Sequence, residues 1–154
     1  MKIGRDYLLE FCLTLSICFN ACHTASRDQN SPAKDFTIIF GSGGGFTGMA
    51  EGYIIHSDGK IEKWSGLYFR RDKLEISGMA QPATLQPLWQ MFEAKTFSQW
   101  SHQRTGNMTT QVWCISGSDT TVVSWPGLEP GKDVPQAIQD FYDKLMLAVR
   151  SANK

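Results

Sequence analysis

The sequence predicts an α+β domain, an antiparallel β-sheet of hairpins with two helices packed on one face. Three observations lead there. Short runs of β-branched and aromatic residues alternate with turn signals such as Asp58-Gly59 and Gly117-Ser118. Only two segments, 84–95 and 135–152, place apolar residues at helical spacing. Strand-like runs follow one another up to Ser77 without a helix between them, which is a hairpin order and not βαβ alternation.

In chain order, "DFTIIF" opens the sheet, and "EGYIIHSDGKIEKW" supplies two strands around the Asp58-Gly59 turn. "DKLEIS" alternates Leu74 and Ile76 with Lys73 and Glu75, the pattern of a strand with its charged face in water and its apolar face turned inward. The period then changes. Leu85, Leu88, Trp89 and Phe92 form a helical stripe over 84–95, with Thr84 as its cap and Pro87 tolerated inside the first turn. "MTTQVWCIS" and "TTVVSW" are two further strands about Gly117-Ser118-Asp119. Pro135 opens the second helix, whose stripe is Ile138, Phe141, Tyr142, Leu145 and Val149, with Asp140, Asp143 and Lys144 opposite.

A chain of 154 residues, 42% hydrophobic, buries one core, so residues 36–154 form a single domain. Fifteen basic residues balance fifteen acidic ones, which leaves no single-sign field to draw the protein to nucleic acid. Residues 1–21 read as an export signal, with Lys2 and Arg5 ahead of an apolar run from Tyr7 to Phe19. That run is short for a bilayer and is broken by Glu10, so a retained membrane helix is the lesser alternative.

The end of the signal, Phe19-Asn20-Ala21-Cys22, resembles the lipobox of bacterial lipoproteins, which implies lipidation of Cys22. Ala21 and Cys22 fit the motif while Phe19 and Asn20 depart from it, and ordinary cleavage near Ala25 is the competing event. Residues 22–35 are then the lipidated cysteine and a flexible tether, because "HTASRDQNSPAKD" has no large apolar residue. The expected location is the cell envelope, with the membrane engaged through the lipid; the alternative is a periplasmic or secreted protein. Cys114 is left as the single cysteine of the mature chain, in an apolar strand where cysteine acts as a buried hydrophobe; a reactive thiol is the other reading.

The stretch "FGSGGGFTG", 40–48, holds five glycines in nine residues. Gly43-Gly44-Gly45-Phe46-Thr47-Gly48 satisfies G-x-G-x-x-G, yet a β-branched run and a hairpin turn follow where dinucleotide binding needs a helix N-terminus. No Gly-Lys-Ser/Thr follows either, so neither a nucleotide nor another cofactor is expected. Two readings remain. The glycines form a tight connection between strands, or Gly43, Gly44, Gly45, Phe46, Thr47 and Gly48 form an exposed binding loop with Phe46 and Thr47 at its tip.

Phe40 to Gly48, Tyr53 with Asp58-Gly59, Gly106-Asn107 and Trp125 resemble, in the same order, an uncharacterised group of exported bacterial proteins of Bacteroidetes type. That resemblance implies fold and export and no activity. Gly44, Gly45, Phe46 and Gly48, with the element order, are more faintly similar to emfourin-type inhibitors of thermolysin-like peptidases; the strands between Tyr53 and Ile76 are a departure. It implies peptidase inhibition as the alternative function.

No catalytic set emerges. His56 and His102 lack ligand-like spacing to another His or Cys, so no metal site is expected. No Gly-x-Ser-x-Gly elbow is present, and the carboxylates Glu51, Glu62 and Glu93 are scattered. Of the tryptophans, Trp64 and Trp100 would build an aromatic platform if they stood exposed beside Phe46. The expected protein is therefore a non-enzymatic binding module that engages a protein partner through the glycine loop and adjacent aromatics.

Overall fold

Turn chemistry sets the sheet. A computed structural model describes residues 35–152; the signal, Cys22 and all of the tether except Asp35 lie outside them. Six strands, β1 Phe36–Gly44, β2 Met49–His56, β3 Lys60–Leu67, β4 Lys73–Met79, β5 Met108–Ser116 and β6 Asp119–Pro126, form one antiparallel sheet in the order β4-β3-β2-β1-β5-β6. Asp58 turns β2 into β3 by accepting the Lys60 N–H at 2.9 Å, with Gly59 at φ 92°. The helices are α1, Pro82–Glu93, and α2, Gln136–Ala152, with a 3-10 turn at Thr96–Gln99. The architecture is α+β. Among the described residues no helix is long and apolar enough to cross a membrane.

Both helices lie on one face, the helix face. There Ile38, Phe40, Ile55, Ile61, Val112 and Trp125 pack with Leu85 and Leu88 of α1 and with Ile138, Phe141 and Leu145 of α2. Each such burial contributes about 1.5–3 kcal/mol. The opposite, open face has its own smaller cluster of Ile39, Ala50, Ile54 and Trp64, joined by Phe69, Trp113 and Ile115 and by no helix residue.

Two expectations are corrected. Helix one starts at Pro82, ahead of the expected Thr84, because a proline at the first position has a preset φ and lacks only an N–H that no helix would bond. Gln81 is the N-cap without a side-chain hydrogen bond, and the Thr84 hydroxyl donates to the Gln81 carbonyl at 2.7 Å instead of capping an amide. Pro87 consequently falls in the second turn, where it removes the donor for Ala83; that residue is exposed, so water can serve its carbonyl. Lys95, at φ 50°, ends the helix.

The second correction concerns β4. Leu74 opposes Trp64 and Ile76 opposes Glu62, which puts both apolar side chains on the open face, 54% and 76% exposed, instead of turned inward. Glu75 and Lys73 share the helix face with Lys63 and Ser65. Two helices cover the central strands, and α2 approaches this edge at Gly78, where an added Cβ would run into the Ala152 carbonyl.

Candidate functional site

The glycine stretch divides in two. Gly41, Gly43 and Gly44 belong to β1 and are paired on both sides: Gly41 with Gly52 and Gln111, Gly43 with Ala50 and Thr109, Gly44 with Met49 and Met108. A loop of five glycines is therefore not what forms. Gly41 has a Trp64 ring atom 2.5 Å from where its Cβ would be, and Gly43 has Ala50 in the same relation, so side chains are excluded there by close approach on the open face.

Only residues 45–48 turn. Gly45 (φ 65°) donates its N–H to the Asn107 carbonyl at 2.6 Å, which ties the turn to the start of β5. Thr47 Oγ1 accepts the Met49 N–H at 3.3 Å, and Gly48 takes φ 64°. β2 and no helix follows, so the turn has no helix dipole to offer a phosphate. Phe46 stands fully in solvent, at 107% relative exposure, on a tip whose flanks are locked into three paired strands.

A second loop buttresses this tip. Tyr68 and Phe69 both adopt left-handed φ, 50° and 61°. For residues with side chains that costs about 1–2 kcal/mol each. Two contacts offset it. The Tyr68 N–H donates to the Gly48 carbonyl at 2.8 Å, its ring covering Gly48, and the Phe69 ring lies between Trp64 and Trp113 at 6.2 and 5.9 Å. Tyr68 stays 78% exposed, next to the cross-strand pair Met49 and Leu67.

Below the tip on the helix face is an open depression of about 430 Å³. Its floor is a row across three strands, Ser42, Glu51 and Ser65, in register. Met49, Met108 and Leu128 form apolar walls. Thr110 holds the Leu128 wall, because its hydroxyl reaches the Gly127 carbonyl at 2.6 Å and the Leu128 carbonyl at 3.1 Å. With that single proton committed, the Ser42 hydroxyl, 2.6 Å away, donates to Thr110 and leaves the depression an acceptor oxygen. The Tyr142 hydroxyl also donates to Leu128 at 3.2 Å, and burial pushes its pKa up. Glu51 pairs with Lys63 at 3.2 Å and raises the lysine's pKa by hydrogen bonding and charge. The floor thus presents oxygen acceptors between apolar walls, a surface for a donor-bearing, partly apolar group.

The other singled-out residues are not gathered here. His56 Nε2 lies 2.7 Å from Glu62 on the open face, and neither it nor His102 lines the depression. Cys114 is buried under the helices, and desolvation pushes its thiol far above the ordinary range, which opposes a nucleophilic role. Among the described residues no group of three or more His, Cys, Asp or Glu could hold a metal ion. The condition for an aromatic platform of Trp64 and Trp100 is not met: Trp64 is buried on the open face and Trp100 packs on Phe97 and Phe141. Tyr68 takes the place beside the tip, from a stretch, "GLYFRRD", that carries no turn glycine after Gly66 and so no signal for the bend.

No protein-family model matches this chain, and no curated protein matches it either.

Proposed function

We propose that the protein is an exported, lipid-anchored module of the cell envelope that captures a protein partner, without catalysis, through the 45–48 tip. The observation that carries this reading is Phe46, a large aromatic left entirely in water on a rigidly paired turn. Exposed aromatic anchors on pre-organised loops are what binding surfaces use, since little ordering entropy is lost on contact. Tyr68, Met49 and the acceptor floor of the depression widen that surface.

The test is capture from the envelope fraction of the producing cells by the wild-type chain and by Phe46→Ala. Loss of the captured species with unchanged thermal unfolding supports the reading. Equal capture, or joint loss of capture and folding, overturns it.

A second reading rests on the same side chain. A rigid aromatic tip has the form that enters an apolar specificity pocket, in line with the resemblance to inhibitors of thermolysin-like peptidases. Incubation of the purified chain with such an enzyme separates the two, because inhibition lost in Phe46→Ala selects the inhibitor and no inhibition at high molar excess removes it.

A further inference from the structure

β4 is an edge strand whose one neighbour is β3. Residues 73–76 are exposed on both faces, and on the open face Leu74 and Ile76 are the large apolar side chains that the second cluster leaves uncovered. Native edges are ordinarily protected by lysine, proline, bulges or a cover. Here no proline is present, and the one bulge falls in β4 at Ser77, between Ile76 and Gly78, so that 73–76 keep regular pairing with β3. α2 packs against the far end of the strand, at Gly78, while residues 73–76 stay exposed.

We propose that this edge is completed by a second copy of the chain, β4 to β4 antiparallel about a two-fold axis at Leu74, which fuses two sheets of six strands into one. The charge pattern selects that register. About Leu74, residue 73 of one copy opposes residue 75 of the other, so Lys73 meets Glu75 twice by symmetry. A shift of the axis by one residue either way sets Lys73 against Lys73 or Glu75 against Glu75. No ion pair among the described residues uses either side chain; Glu75 does stand opposite Lys63 within its own chain, but the Lys63 ammonium is already held by Glu51 at 3.2 Å.

The apolar residues agree with the same axis. Antiparallel partners project to one face, so Leu74 meets Leu74 and Ile76 lies diagonally across from the second copy's Leu74, within reach of it. A lone lysine would repel an incoming strand; a lysine and a glutamate two residues apart invite their own copy and disfavour others.

The experiment is sedimentation equilibrium of the purified full chain in mild detergent at low salt, over concentrations up to roughly 0.5 mM, as befits a small interface. A reversible monomer–dimer equilibrium is expected. Lys73→Glu and Glu75→Lys should each raise the dissociation constant about tenfold or more, because like charges then face each other twice. The double variant K73E/E75K regenerates both opposite-charge pairs and should restore the dimer. Thermal unfolding of the three variants, all changed at exposed positions, verifies that they are folded. A wild-type chain that stays monomeric, a dimer indifferent to the single reversals, or a dimer not restored by the double variant overturns the proposal.

Discussion

The Trp64 indole packs against the backbone at Gly41, with Cζ2 2.5 Å from the place a Gly41 Cβ would occupy and Nε1 donating to the Phe40 carbonyl at 3.2 Å. Gly52, opposite Gly41 across the strands, has the Phe40 carbonyl in the space its own Cβ would need. Gly41, the first glycine of the stretch, is thus a seat for a tryptophan. This relationship turns a composition signal into a packing constraint.

Gly41→Ala is therefore expected to destabilise the domain by about 1–3 kcal/mol, the usual cost of forcing extra volume into a packed site. Gly117→Ala is the control. Gly117 has φ 60° and nothing within 4 Å of its Cβ position, so only the backbone term applies, about 1 kcal/mol. Urea unfolding of the two variants checks the order; a larger loss for Gly117→Ala would contradict the seat.

Phe46→Ala and Thr47→Ala should leave stability within about 0.5 kcal/mol of wild type, since neither side chain is buried. The weak point is Thr47, whose hydroxyl accepts the Met49 N–H, so Thr47→Ser is expected to behave as wild type. Calorimetric unfolding of the variants measures this directly.

Glu62 supplies a pH-dependent contribution. The hydrogen bond from His56 at 2.7 Å is the largest cause holding its pKa below the ordinary 4.5; desolvation works against it and Lys60, 3.2 Å away, assists. A carboxylate depressed in the folded state stabilises fully above its unfolded pKa, and the contribution is lost as pH falls through the folded value. The loss should fall below about pH 4.5. His56→Ala moves Glu62 back toward 4.5 and makes acid destabilisation shallower in that window. Carboxyl NMR titration of Glu62 in both proteins reads the shift.

Cys114 should resist thiol reagents in the native protein and react once the chain is unfolded. Burial raises its pKa, so little thiolate exists at neutral pH, and the helices block access. Labelling followed by mass spectrometry, with and without denaturant, decides it; native-state labelling at Cys114 would contradict the burial.

Strand and helix identities were legible because each rests on local chemistry. Asp58-Gly59 formed its hairpin, and the stripe of Ile138, Phe141, Leu145 and Val149 went inward as its spacing implies. The start of helix one was legible only to within two residues, since Pro82 outcompetes Thr84 as the first position. The site was half legible. Phe46 at the tip follows from the glycines around it, while Tyr68, Met49 and Leu128 come from three other segments, and the two left-handed residues that deliver Tyr68 and Phe69 have no sequence marker.

By itself, then, the sequence determined the order of strands and helices, the hairpin turns at Asp58-Gly59 and Gly117-Ser118, and which residues share a face within each strand, because period and turn preference are local properties. Only the tertiary structure decided which sheet face the helices cover. That choice buried Trp64 over Gly41, left Leu74 and Ile76 in water at the edge, and confined the turn to residues 45–48. The physical reason is that alternation along a strand is symmetric between its two faces, and contacts between residues 23 positions apart, such as Gly41 and Trp64, break that symmetry.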